Sequence, residues 1–162
     1  MGSVAGGFYG TFTPRLDDKG RLTLPARYRG AFVDGAMVVR GDMRCLYVFT
    51  QDGFDTFAEE AINAPVTDPQ RIGPARYMLA NSDFQSLDAQ GRIMLTGRMR
   101  DYAGLGKDVV LTGQGKRMEI WNAERWAEYE ADQEPTYINR NATRTGEDPV
   151  SSAPTAGAGA HR

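Results

Sequence analysis

Leu16–Arg29 reads LDDKGRLTLPARYR, and Leu87–Arg100 reads LDAQGRIMLTGRMR. A shift of 71 residues lays Leu16 on Leu87, Asp17 on Asp88, Gly20 on Gly91 and Arg21 on Arg92. The same shift carries Leu22 to Ile93, Leu24 to Leu95, Arg27 to Arg98 and Arg29 to Arg100. A second block follows at a shift of 72, with Leu46-Tyr-Val-Phe49 on Met118-Glu-Ile-Trp121, Asp52 on Glu124 and Phe54 on Trp126. Two blocks that match in the same order mark an internal duplication.

Each copy carries the same local signals. Phe12 to Leu16 is a strand candidate, and the DDKG that follows is a turn in which Gly20 supplies a positive φ. Arg21-Leu-Thr-Leu24 alternates polar and apolar residues, the pattern of a half-buried strand. Pro25 suits the first position of a short helix over PARYRGAF. Strands are expected at Ala36–Arg40 and Cys45–Thr50, joined by GDMR, and in the second copy at Asp108–Thr112 and Arg117–Trp121, joined by GQGK. Phe54, Phe57, Ala58 and Ala61 fall at helical spacing. Pro65, Pro69 and Pro74 then predict an irregular connection.

Asn122 is placed to cap a C-terminal helix with Trp126 and Tyr129 on its inward face. Beyond Pro135 the chain turns to Gly, Ala, Ser, Thr and Pro, a composition that predicts disorder. The expected organisation is therefore a first module over 8–53, a helical and irregular connection over 54–80, a second module over 81–124, a helix over 125–135 and a disordered tail over 136–162. Each half alone, about 45 residues of strand-rich sequence, is at the edge of what can fold by itself. Packing two related halves about a pseudo-two-fold axis answers that shortage.

The chain of 162 residues has a formal net charge of −2, one cysteine (Cys45) and one histidine (His161). A single cysteine forbids an internal disulfide, and the Cys/His cluster that zinc sites use is missing, so neither metal nor cofactor is expected. No apolar run reaches the roughly 20 residues of a membrane span and no leader pattern opens the chain, which points to the cytoplasm. Asp17 and Asp88 invite comparison with a two-carboxylate acid–base site. Each has an arginine four residues on, however, which holds it ionised instead of letting the two share a proton. With no phosphate-cradling Gly loop either, neither catalysis nor a small-molecule substrate is expected.

Charge distribution is more informative than the net charge. Residues 8–52 hold seven Arg and Lys against five acids, and residues 81–121 hold six against five. This permits a nucleic-acid partner without demanding one; for such a partner the candidate DNA-contacting set is Arg15, Lys19, Arg21, Arg27 and Arg29 in the first copy and Arg92, Arg98 and Arg100 in the second. Arg15 and Lys19 flank the turn, where arginine can read guanine bidentately and lysine adds a point charge on phosphate. Asp17, Gly20, Asp88 and Gly91 are turn residues, and Arg21 has the alternative role of pairing with Asp17. Phe49, Phe54, Trp121 and Trp126 are expected in the core, and Cys45 is expected to be inert.

The pattern Leu16-Asp-x-x-Gly-Arg-x-x-x-Pro, with Arg29 closing the helix, resembles the SpoVT/AbrB family of swapped-hairpin barrels. Its repetition in one chain, with AGLGKDVVLTGQGKRMEIWN in the second copy, resembles the MraZ family over residues 8–130. The resemblance implies an α+β, β-rich fold of two tandem swapped-hairpin modules and homo-oligomeric rings. It also implies a nucleoid-associated, sequence-specific regulator on direct repeats in the promoter of its own division and cell-wall gene cluster. A ring-forming scaffold or protein-interaction module without specific DNA readout is the alternative. Three positions depart from the first copy: Thr96 replaces the proline, Ser86 stands for Arg15 and Gln90 for Lys19. The second hairpin is thus less basic, and equal DNA contact by both copies is not implied.

Overall fold

Alternation in Arg21-Leu-Thr-Leu24 and Arg92-Ile-Met-Leu95 governs how the two copies meet. In the computed structural model, which describes residues 6–140, Leu22, Leu24, Ile93 and Leu95 are buried, while Arg21, Thr23, Arg92 and Met94 keep solvent access. Strands β2 (Arg21–Thr23) and β6 (Arg92–Met94) pair antiparallel as a two-stranded ribbon with Leu22 opposite Ile93. These two residues are equivalents in the duplication, so a pseudo-two-fold axis passes between them. The flanking bonds obey it: Leu24 N donates to Gly91 O (3.0 Å) and Leu95 N to Gly20 O (2.9 Å).

The other six strands are β1 (Thr11–Phe12), β3 (Ala36–Arg40), β4 (Leu46–Phe49), β5 (Ser82–Gln85), β7 (Val109–Gly113) and β8 (Met118–Asn122). They form one antiparallel sheet in the order β1-β7-β8-β4-β3-β5. Tyr47 lies opposite Glu119 where β4 meets β8, and these are again equivalents. The sheet therefore interleaves the copies: β1 pairs with β7 and β5 with β3. At the second axis point Glu119 is a buried acid, and it is fully engaged. It accepts from Arg117 Nη2 (2.7 Å) and Trp121 Nε1 (3.1 Å), and the Arg117 guanidinium stacks 4.2 Å over the Tyr47 ring. Paired in this way, the charge is tolerated away from water.

Strands β3, β4, β7 and β8 end within one residue of expectation, but other elements differ. The first strand is shorter, because Pro14 has no N–H to continue a ladder; beyond it Arg15 makes only an isolated bridge to Asp108. PARYRGAF is a 3-10 segment, Ala26–Phe32, with Pro25 as the N-cap and not the first helical residue. Its equivalent is a true α-helix, α3 (Gly97–Ala103), because the Thr96 side chain accepts from Met99 N and Gly104 closes the helix at φ 60°.

The helix expected through Phe54 and Ala61 is α1 (Gln51–Ile62), and the irregular connection expected after it instead holds a second helix, α2 (Pro69–Ala80), packed on the first. Pro69 sits in the first turn, where proline is tolerated. Pro74 keeps a helical φ while its lost bond frees a carbonyl on the exposed side. Tertiary contacts hold α2 in spite of it: Ala75 is buried, and Arg40 Nη1 donates to Tyr77 Oη at 2.9 Å.

Helix α4 runs over Ala123–Asn139, so residues 136–139, expected in the tail, are helical. Pro135 leaves the carbonyl of an exposed residue to water. The remainder of that expected tail, 141–162, lies outside the described residues. Asn122 caps the helix as anticipated, its Oδ1 accepting from Glu124 N and Arg125 N. Within the unit that ends at Ala127, the matched aromatic pairs take one geometry: Phe49–Phe54 at 6.3 Å and 64°, Trp121–Trp126 at 5.4 Å and 65°. The second unit begins at Glu128; in it Arg140 lies 3.8 Å over the Tyr137 ring. No helix among the described residues is long and apolar enough to cross a membrane.

Candidate nucleic-acid interface

Two turns flank the ribbon and are built alike. Asp17 Oδ1 accepts from Lys19 N (3.0 Å) and Arg21 N (2.8 Å), and Oδ2 accepts from Arg21 Nε (2.6 Å). Asp88 repeats this with Gln90 N (3.0 Å), Arg92 N (2.9 Å) and Arg92 Nε (2.7 Å). Gly20 and Gly91 close the turns at φ 79° and 74°, a region in which side chains other than glycine's are strained. The two turns also communicate across the axis, with Arg92 Nη1 at 3.6 Å from Asp17 Oδ2. A row of two arginines, each held from behind by a carboxylate, is thereby fixed on the outer face of the ribbon.

The environment keeps both carboxylates ionised. For Asp17, the Arg21 backbone N–H is the largest influence and lowers the pKa. For Asp88, partial desolvation pushes upward but is outweighed by the Arg92 N–H and guanidinium, so its pKa is lowered too. A lowered folded-state pKa contributes stability that is present above the unfolded value of about 3.9 and is lost as pH falls through the folded value. Melting temperature is therefore expected to drop below about pH 4, and to drop less in an Asp17→Asn/Asp88→Asn variant that is already weaker at pH 7. Parallel curves for the two proteins would show that these carboxylates are not responsible.

The remaining candidates separate into two kinds. Arg29 Nε donates to Leu24 O (3.0 Å) and Arg100 Nε to Leu95 O (3.2 Å). Arg29 crosses to lie against Gly91, and Arg100 crosses to lie against Gly20, so each braces the turn of the other copy. Arg27 and Arg98 are exposed. The first stacks 5.3 Å over Tyr28, and the second reaches Asn81 Oδ1 at 3.5 Å. Arg15 and Lys19 are exposed on the first turn, while on the second Gln90 Oε1 accepts from Arg92 Nη2. Cys45 is fully buried, and burial pushes its thiol well above the ordinary range.

Sequence reading missed Lys107 and Asp108, which the loop before β7 brings beside the first turn: Leu16 N donates to Lys107 O at 2.8 Å. They are far from the turn along the chain, and no local pattern announces the contact.

The chain matches the family model described as "MraZ protein, putative antitoxin-like" over residues 8–72 and 78–148. It is 47% identical over 130 residues to a protein of Saccharopolyspora erythraea named "Transcriptional regulator MraZ", covering 80% of this chain and 91% of that one. A protein of the same name from Corynebacterium jeikeium has the same identity and coverage. One from Rhodococcus opacus is 43% identical over 140 residues, 86% of this chain and 98% of its own length. With the family model matching both duplicated hairpins and most of the connection between them, and with relatives of this identity and coverage, the chain belongs to the MraZ family.

Proposed function

We propose that this chain is a sequence-specific DNA-binding transcriptional regulator that acts, as a ring of identical subunits, on direct repeats in the promoter of its own division and cell-wall gene cluster. The observation that carries the reading is the ribbon with its two braced turns. Their charged groups are preorganised around a pseudo-two-fold axis, and a two-stranded β-ribbon is of a size that enters a major groove. The names of the family's curated relatives support the regulatory role. In this reading 8–53 and 81–124 are the two swapped-hairpin modules, exchanging their Leu24–Gly91 and Leu95–Gly20 bonds. Arg15 and Lys19 make the principal DNA contacts, Arg21 and Arg92 face the groove, Arg27 and Arg98 take flanking phosphates, and Arg29 and Arg100 hold the turns. A closed ring would present the same face to successive direct repeats, and linkage would compensate for weak single contacts. The setting is the cytoplasm, at the nucleoid.

Binding to a duplex from immediately upstream of the gene, against a scrambled duplex, tests this across a salt series. The promoter duplex is expected to bind at least about tenfold tighter, with log affinity falling steeply against log salt. Arg15→Ala/Lys19→Ala is expected to weaken binding by roughly ten- to a hundredfold and to reduce the salt slope by about 2. Equal, salt-insensitive binding to both duplexes would leave the scaffold reading in its place.

A further inference from the structure

The first hairpin carries its own counter-charges, supplied by the other copy. Arg15 Nε lies 3.0 Å from Asp108 Oδ1, and Lys107 Nζ lies 3.6 Å from Asp18 Oδ1. All four side chains are at least 69% exposed, so an incoming phosphate meets the pairs in water and not behind protein. The placement is architectural. Val109 N donates to Pro14 O and Leu16 N to Lys107 O, which fixes the loop of Lys107 and Asp108 alongside residues 14–16. The counterpart pairing of β3 with β5 ends at Ala36 opposite Gln85, next to Gly35 and Ser86, and has no charge on either side. Among the described residues, these two exposed pairs between residues 15–18 and residues 107–108 therefore have no equivalent at the second turn, whose counterpart positions are Ser86, Ala89, Gly35 and Ala36.

We propose that Asp108 restrains the DNA affinity of the first hairpin by competing with phosphate for Arg15, an inference that rests on the DNA-binding function proposed above. An exposed ion pair is weak enough for DNA to displace. The displaced carboxylate nevertheless stays beside the phosphate it has yielded to, and one of the hairpin's cations is cancelled in the free protein. Asp108 therefore limits the sequence-independent part of binding, which depends on how many phosphates the protein neutralises.

The experiment uses Asp108→Asn, which keeps the side chain's size and the backbone bridge to Arg15, on the promoter and scrambled duplexes across the same salt series. Affinity for scrambled DNA is expected to rise about three- to fivefold, and the salt slope to steepen by about 0.9, with an unchanged melting temperature. The gain should vanish in an Arg15→Ala background, because the competition is for Arg15. A folded Asp108→Asn protein that binds no tighter overturns the inference, as does a gain of undiminished size without Arg15. Wild-type protein with no salt-dependent binding to either duplex overturns the DNA-binding function itself, and the inference with it.

Discussion

Replacing Gly20 by alanine is expected to cost about 3 kcal/mol of folding stability, the sum of a left-handed backbone penalty and local strain. The backbone there sits at φ 79°, and a Cβ would lie 2.9 Å from both Leu95 O and Arg100 Nε. That carbonyl belongs to Leu95, whose own N–H donates to Gly20 O across the axis, so the residue cannot retreat without loosening the ribbon. Arg100 is braced on Leu95 O and loses that seat as well. A fall in melting temperature of about 10 °C corresponds to this cost for a domain of this size. Gly30 is the control: its φ is not positive and nothing lies within 4 Å of its Cβ position. Gly30→Ala should therefore be neutral, or stabilising by up to about 1 kcal/mol. If both variants melt alike, the turn is not conformationally demanding and the bracing role of Arg100 falls with it.

Truncation at the axis is the other large effect. Leu22 and Ile93 are fully buried and face each other across the ribbon, with Leu24 and Leu95 next to them. Leu22→Ala and Ile93→Ala should each cost about 3–4 kcal/mol, the transfer term plus a cavity that the two interlocked strands cannot collapse to fill. Because the residues touch one cavity, the double variant should cost less than the sum of the singles by at least about 0.5 kcal/mol. Thr23→Ala, on the exposed side of the same strand, should stay within about 0.5 kcal/mol of wild type. Urea unfolding of the four variants measures all of this. Additive costs at positions 22 and 93 would mean that the copies pack independently.

Both predictions concern residues legible in the amino-acid sequence. Positive φ at Gly20 follows from the Asp-Asp-Lys-Gly turn, and the burial of Leu22 and Leu24 follows from strict alternation. Likewise the Asn122 cap and the burial of Phe49, Phe54 and Trp121 needed only short-range pattern, whereas Trp126, expected in the core with them, is only half-buried on a helix with no buried residue. The candidate site was legible as a set of residue types but not as roles. Spacing shows that Arg29 and Arg100 are basic and near a turn; it does not show that each reaches the opposite turn. Proline arithmetic misjudged α2 for a related reason: local cost at Pro74 is outweighed by Ala75 and Tyr77 packing on elements distant in sequence.

By itself, then, the sequence determined the duplication, the hairpins, the strand faces and the basic character of the first turn. Only the tertiary structure decided which copy each strand pairs with. Duplication makes this undecidable locally, since β2 and β6, or Tyr47 and Glu119, carry equivalent patterns and either pairing satisfies the same alternation. Pairing across copies, β2 with β6 and β1 with β7, puts Leu22, Leu24, Ile93 and Leu95 into one core that neither half could enclose alone. The same closure sets Asp108 beside Arg15, a contact that arises from the meeting of two surfaces and from no property of either segment.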